Sequence, residues 1–258
     1  MTQQVVLHEK RHMAWWITLN RPEKRNALNA AMLAGISAGL TRAAEDREAR
    51  AIVLTAAGDK AFCAGGDLAP HGGFDFDFAQ PQTPYGNLLR QARACPLPII
   101  VVVNGMCLAG GMGLLAMADL AIAADHARFG LPEVKMGLFP MQVLSLLNEL
   151  VAPRILQQWV LTGESFGAAE AQAAGLLNAV VPQDRLPASA ETLLAQLSAC
   201  SPAALRRGKY AMRALRGMNF EQAISFAEGQ LGLMTLTEDA REGLAAFNEK
   251  RPPRFSGK

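Results

Sequence analysis

Two short stretches bring together residue types whose spacing has chemical meaning. AFCAGGDL, residues 61–68, closes an apolar run with a cysteine, two glycines and an acid, and NGMCLAGGMG, residues 104–113, follows the apolar segment PIIVVV at 98–103. Where a strand runs through a glycine-rich turn into a helix, the first N–H groups of the helix have no intrahelical partner, and the helix dipole favours negative charge beside them. Gly110 and Gly111 occupy such a place, and glycine keeps the approach clear of side-chain bulk. The turn at Ala64, Gly65 and Gly66 offers a second main-chain donor on the same logic. Two N–H groups converging on one oxygen form an oxyanion hole, in which each donor contributes about 3 kcal/mol of transition-state stabilisation. Two other readings stand beside this one. Glycine pairs after strands also serve as plain turns, and GMGLLA at 111–116 matches the G-x-G-x-x-[GA] dinucleotide fingerprint. Against the fingerprint, the next strand is expected by about residue 119, and Asp125 comes sooner than a ribose-binding acid should.

The elements that must hold these turns follow from hydrophobic pattern. WWITLN (15–20) alternates and gives way to RPEKRNALN, whose Pro22 and basic residues predict a turn before a helix over about 29–47. AIVLTAAG (51–58) reads as a buried strand followed by a turn, PIIVVV (98–103) as a strand buried on both faces, and DLAIAAD (119–125) as another strand. A short helix is expected over about 110–117, and ARFGLPE (127–133) as a strand end or turn. APHGGFDFDFAQPQTP (69–84) has glycines, prolines and no period, which predicts a loop. From about 142 the pattern becomes helical. Three amphipathic stretches in the last sixty residues need another surface to cover them, and the last starts at Thr237 and ends at Lys250. A tail of this kind predicts an oligomerisation element. No internal repeat is visible at the level of residues.

Composition sets the class. The 258 residues suffice for an α/β core with a helical appendage that buries roughly three quarters of its unfolded surface. Lys and Arg number 25 against 23 acids, a formal charge of +2, and that balance gives no sign of nucleic acid as a partner. Four scattered cysteines (63, 95, 107 and 200) make no C-x-x-C pair, so neither a disulfide framework nor a thiolate metal site is expected, and a reducing, cytoplasmic setting is. The apolar runs are too short to span a bilayer, and a membrane role is not expected.

Taken together, RPEKRNALN, AFCAGGDL, NGMCLAGGMGLLAMADLAIAAD, ARFGLPE, GLLNAVVP and AFNEKRPP stand in the order and spacing of the enoyl-CoA hydratase/isomerase (crotonase) family, which the chain resembles over nearly its whole length. The resemblance implies an α/β spiral of ββα units over 1–198 and a C-terminal helical trimerisation region over 199–258. It also implies a homotrimer, or a hexamer built as a dimer of trimers. The implied substrate is an acyl-CoA thioester, with coenzyme A entering as part of that substrate and no separate cofactor or metal. By position the oxyanion donors would be the N–H groups of Ala64 and Gly110. Lys24 and Arg25 resemble residues near the CoA phosphates, and the backbone of Ala27, Ala61 and Phe62 the stretch that holds adenine and pantetheine. Asp67 and Leu68 close the first motif against the same ligand, Asp67 as a hydrogen-bonding acid of the frame. Phe247 and Lys250 resemble the pair that reaches the CoA of a neighbouring subunit.

Two departures from the family pattern bear on the chemistry. Typical hydratases carry two glutamates; the position of the first is Gly113 here, whereas the second is present as Glu133. Glu133 is therefore the expected proton carrier. One carboxylate can add water to a 2-enoyl thioester by making both proton transfers in turn, or can shift a 3-enoyl double bond by lifting the α-proton and returning it at the γ-carbon. Hydration, isomerisation alone, and acyl-CoA binding without turnover all remain open at this level; a serine peptidase on the same scaffold lacks its serine near Gly110. The second departure is Phe139, Met141 and Gln142, where many hydratases have a glycine-rich stretch; this predicts a differently shaped acyl pocket. His71 is a candidate polar group of the loop, and Cys63 and Cys107 are expected to be small packing residues.

Overall fold

The computed structural model describes residues 4–68, 77 and 79–258. His71 and most of the segment expected as a loop lie outside those residues. The chain opens with strands β1 (Val6–Arg11) and β2 (Ala14–Leu19), a 3₁₀ turn at Pro22–Lys24 and helix α1 (Ala30–Glu45). Asn29 caps α1, its side chain accepting the Met32 N–H at 2.9 Å. The helix buries Met32, Ile36, Leu40 and Ala43 on one face, the 3.6-residue stripe of an amphipathic helix.

Three ββα units follow. The first comprises β3 (Ala51–Ala56), β4 (Ala61–Cys63) and α2 (Pro84–Ala94). The second comprises β5 (Ile99–Val103), β6 (Met106–Leu108) and α3 (Gly110–Ala116). The third comprises β7 (Leu120–Ala124), β8 (Arg128–Gly130), a 3₁₀ turn at Pro132–Met136, and α4 (Met141–Leu147). The chain continues through α5 (Pro153–Thr162), β9 (Ser165–Gly167), α6 (Ala168–Ala173), β10 (Ala179–Val181) and α7 (Leu186–Ser198). It ends in α8 (Pro202–Leu215), α9 (Phe220–Met234) and α10 (Glu238–Glu249).

Each unit lays one strand in a large sheet, ordered β1-β2-β3-β5-β7-β10, and one in a small sheet, ordered β4-β6-β8-β9. This alternation is the spiral. Within the large sheet every pairing but β1–β2 is parallel, and both faces are covered. Ile52, Leu54, Ile99, Val101 and Val103 pack into the main core with α1, while Ala51, Val53, Ile100 and Val102 turn to a second cluster closed by Leu186, Ala190 and Leu194 of α7. Burial on both sides is why these strands read as unbroken apolar runs.

The C-terminal helices tie to the core through polar contacts. Lys209 of α8 is buried, pairs with Asp119 and donates to the Leu97 carbonyl at 2.6 Å, and Arg213 donates to the Cys95 carbonyl at 2.8 Å. Thr237 caps α10 and Lys250 ends it in a left-handed conformation, as the sequence predicts. No helix among the described residues is long and apolar enough to cross a membrane.

Candidate active site

The strands β4, β6 and β8 run parallel and side by side, so their carboxyl ends lie at one edge of the small sheet. Such an edge is where open parallel sheets hold their ligands. Three residues past β4 stands Gly66, two past β6 stands Gly110, and three past β8 stands Glu133. Topology therefore gathers groups that are 67 residues apart in the chain, as their numbers 66 and 133 give.

The main-chain donors differ in one place from the sequence expectation. The N–H of Ala64 donates to the Arg25 carbonyl at 3.0 Å, so Ala64 is not available to a ligand. Leu28 bridges Gly66 in parallel fashion, with its N–H on the Gly65 carbonyl at 2.7 Å and the Asp67 N–H on the Leu28 carbonyl at 2.8 Å. In that pattern the Gly66 N–H makes no main-chain bond among the described residues. The open N–H of this turn is therefore that of Gly66 rather than Ala64: the Asp67 N–H faces Leu28, and successive N–H groups of an extended strand face opposite ways.

Gly110 is the first residue of α3, and its N–H has no intrahelical acceptor. It is held there by strain. Ala109, the preceding residue, sits at φ 50°, ψ −120°, a region that costs a residue with a Cβ about 1–3 kcal/mol, and its N–H is fixed on the Gly130 carbonyl at 3.0 Å. Gly65, at φ +98°, lies against this turn: a Cβ added to it would stand 2.7 Å from the Ala109 Cβ and 3.6 Å from the Gly110 nitrogen. The two glycine turns are therefore in direct contact.

Glu133 enters on the 3₁₀ turn after β8, started by Pro132 and stopped by Gly137 in a left-handed conformation. Its Oε2 is buried and has no hydrogen-bond partner among the described residues. Burial raises its pKa above the ordinary carboxylate value, its own backbone N–H opposing the rise. A partly desolvated carboxyl group with one oxygen unpartnered is suited to exchange protons rather than to brace the fold.

Tyr85, which the sequence did not single out, completes the centre. It lies in the first turn of α2, whose cap Thr83 accepts the Gly86 N–H at 3.0 Å and is itself bonded by Gln142 Nε2. The phenol donates to the Gly110 carbonyl at 2.5 Å. Burial pushes its pKa well above the usual value, with Cys63, Cys107 and Glu133 acting in the same direction, so the hydroxyl stays neutral. A signal existed in the Thr-Pro-Tyr start of α2, but the contact of Tyr85 with Gly110 is long-range.

The turn RPEKRNALN is drawn against the same edge. Asn26 is fully buried at φ 53°, its Oδ1 accepting the Arg21 N–H at 2.8 Å and its Nδ2 donating to the Ala57 and Ala61 carbonyls at 3.1 and 2.8 Å. Asn26→Ala leaves buried polar groups unpaired and should lower the unfolding free energy by about 2–4 kcal/mol, measured by urea denaturation. Arg21 also pairs with Asp67 at 3.0 Å, which places Asp67 in the frame. Lys24 and Arg25 are exposed at the tip, next to a cleft of about 200 Å³ lined by Pro22, Ala57, Gly58, Asp59, Lys60 and Ala61. Ala27 is half-buried, whereas Ala61 and the Phe62 ring are core.

Other candidates are not gathered at the centre. Leu68 and Met141 are largely exposed, and Gln142 ties α4 to the cap of α2 rather than lining a pocket. Phe139 lines an apolar cleft of about 360 Å³ with Leu144, Leu156, Val160 and Leu161. Phe247 and Lys250 stand exposed on α10. Cys63 and Cys107 are buried, and desolvation pushes the Cys63 thiol up to about 12, so both are packing residues. Strand β7 begins four residues after α3 ends, too soon for a dinucleotide-binding unit.

A mixed α/β spiral with two main-chain donors and an acid at one sheet edge defines a class, and comparison with known proteins gives the family. The profile of the enoyl-CoA hydratase/isomerase family matches residues 9–258. A probable enoyl-CoA hydratase of Mycobacterium tuberculosis is 34% identical over 262 residues, covering 99% of each chain. The 2,3-dehydroadipyl-CoA hydratase of Escherichia coli is 34% identical over 259 residues, covering 100% of each. Among solved structures, an enoyl-CoA hydratase from Bacillus anthracis superposes with a TM-score of 0.92 at 29% identity, over 99% of this chain and 100% of that one. The chain belongs to the enoyl-CoA hydratase/isomerase family. It is an enzyme of that hydratase or isomerase type.

Proposed function

We propose that the protein adds water to a 2-enoyl-CoA thioester through an enolate held by the Gly66 and Gly110 N–H groups, with Glu133 carrying the protons. The observation that supports this most is the buried, unpartnered Glu133 Oε2 at the sheet edge shared with both main-chain donors. Glu133 takes a proton from water as the oxygen bonds to the β-carbon, and the π electrons pass to the thioester oxygen. The two N–H groups stabilise that charge. Glu133 then returns the proton to the α-carbon, which restores the carbonyl. Lys24 and Arg25 meet the phosphates of CoA, and the cleft beside them takes the adenine end.

Gly113 favours a second reading, the shift of a 3-enoyl double bond, because that reaction needs only one base. A panel of 2-enoyl and 3-enoyl thioesters followed by mass spectrometry separates the two, since hydration changes the mass and isomerisation does not. Hydration is expected; a double-bond shift without hydration would overturn the first reading in favour of the second.

The proposed assembly is a trimer or a pair of trimers. Helix α9 buries none of its residues within one chain, and Phe220, Leu231, Leu236, Leu244 and Phe247 stand exposed. Contact with a second copy would cover them and carry Phe247 and Lys250 to a neighbour's CoA. Sedimentation equilibrium tests this, a monomer at micromolar concentration being the contrary result.

A further inference from the structure

The vacancy at position 113 has an occupant. A Cβ built on Gly113 would stand 2.0 Å from the Tyr85 hydroxyl oxygen, 3.1 Å from its Cζ and 3.3 Å from Val143 Cγ2. No side chain fits there while the phenol is in place. The same oxygen lies 3.8 Å from a Cβ built on Gly110, whose N–H is one of the two donors. The space in which a first acid would begin is thus filled by a hydroxyl that arrives from a different helix.

The orientation of that hydroxyl is decided by its partner. Its proton is committed to the Gly110 carbonyl at 2.5 Å, so what remains on the oxygen is acceptor capacity. The ring is half-buried and its backbone is pinned by the Thr83 cap and by Gln142, so the oxygen cannot wander. Glu133, at the same sheet edge and near enough to act electrostatically on the phenol, offers the other acceptor, its buried Oε2 with no partner among the described residues. Water attacking a double bond needs its two O–H bonds directed away from the carbon it attacks, so that a lone pair points forward. Two fixed acceptors achieve this and one does not.

We propose that Tyr85 is a catalytic residue of the hydration: its phenol oxygen accepts one O–H of the attacking water, in place of a carboxylate at 113, while Glu133 accepts the other and takes that proton. Tyr85 itself neither gains nor loses a proton. The water oxygen bonds to the β-carbon, Glu133 receives the proton and passes it to the α-carbon, and water is added across the double bond. The inference rests on the hydratase reading above.

The test compares two reactions of the same site. Hydration, measured with crotonyl-CoA or with the fastest 2-enoyl-CoA of the panel, needs the positioned water. Exchange of the α-protons of butyryl-CoA in deuterium oxide needs only Glu133 and the two N–H groups. Tyr85→Phe keeps the ring and removes the acceptor. It should lower kcat for hydration about 10- to 100-fold, with KM and α-proton exchange both within about twofold of the wild type. Hydration at the wild-type rate, or an equal loss of hydration and exchange, would overturn the proposal, the second outcome marking a structural role. Gly113→Glu alone should be inactive because of the overlap with the phenol, whereas Tyr85→Ala with Gly113→Glu should hydrate faster than Tyr85→Ala alone. A double variant no better than Tyr85→Ala would also overturn it. Failure of the hydratase reading is distinguishable, because it appears in the wild type before any variant is made.

Discussion

Glu133→Gln should reduce kcat by about 10³-fold, the usual scale for removing a group that both accepts and returns a proton, with little change in KM. Glutamine preserves the shape of the side chain and the Pro132–Gly137 turn that presents it, so the loss reports proton transfer rather than misfolding. The wild-type pH profile carries a linked signature. Burial raises the Glu133 pKa, so the acid limb of kcat/KM should lie above the range of an ordinary carboxylate, and it should be absent from the residual activity of the variant. Stability moves in the opposite sense. A carboxyl group with a raised folded-state pKa contributes stability that is fully present below its unfolded pKa and is lost as pH rises through the folded value. At neutral pH the ionised Glu133 therefore weighs against the fold, and the glutamine variant should melt at a higher temperature. A variant that keeps wild-type kcat would remove Glu133 from the mechanism.

Gly65→Ala should cost both stability and turnover. Its left-handed φ of +98° disfavours any side chain, and the new Cβ would press on the Ala109 Cβ at 2.7 Å and the Leu108 carbonyl at 3.3 Å. Relief requires the two glycine turns to separate, which moves the Gly110 and Gly66 N–H groups apart. Loss of about 2 kcal/mol of stability is expected from the strain, and kcat should fall about 100-fold because donors displaced by part of an ångström no longer share one oxygen. Steady-state kinetics beside urea denaturation checks both; unchanged kcat in a folded variant would show that the contact between the turns does not set the donors.

The sequence made the large sheet and the helices other than α2 readable because their patterns are long. The buried runs at 51–56, 99–103 and 120–124, the α1 stripe and the Thr237 and Lys250 boundaries of α10 all appear where expected. The small sheet did not, because β4, β6 and β8 are three residues each and too short to display a period of two. Without them the ββα repeat is invisible, since the units share topology rather than residues. Helix α2 was hidden for another reason: Pro84 reads as a loop residue, but at the first position of a helix its missing N–H costs nothing. Within the site, Gly110 and Glu133 were legible as a helix start and a motif acid. The choice between Ala64 and Gly66 was not. It depends on which N–H the Arg25 carbonyl captures, a pairing across 39 residues, as the numbers 25 and 64 give. Tyr85 was missed likewise, because its partner Gly110 is 25 residues away.

The proposed centre draws one group from the end of each successive coil of the spiral, and each of those coils holds its part with a strand only three residues long. Turnover is therefore a finer gauge of intactness than spectroscopy of the whole molecule: loosening any single coil separates partners that nothing local in the chain could bring back together, while the broad parallel sheet behind them stays assembled.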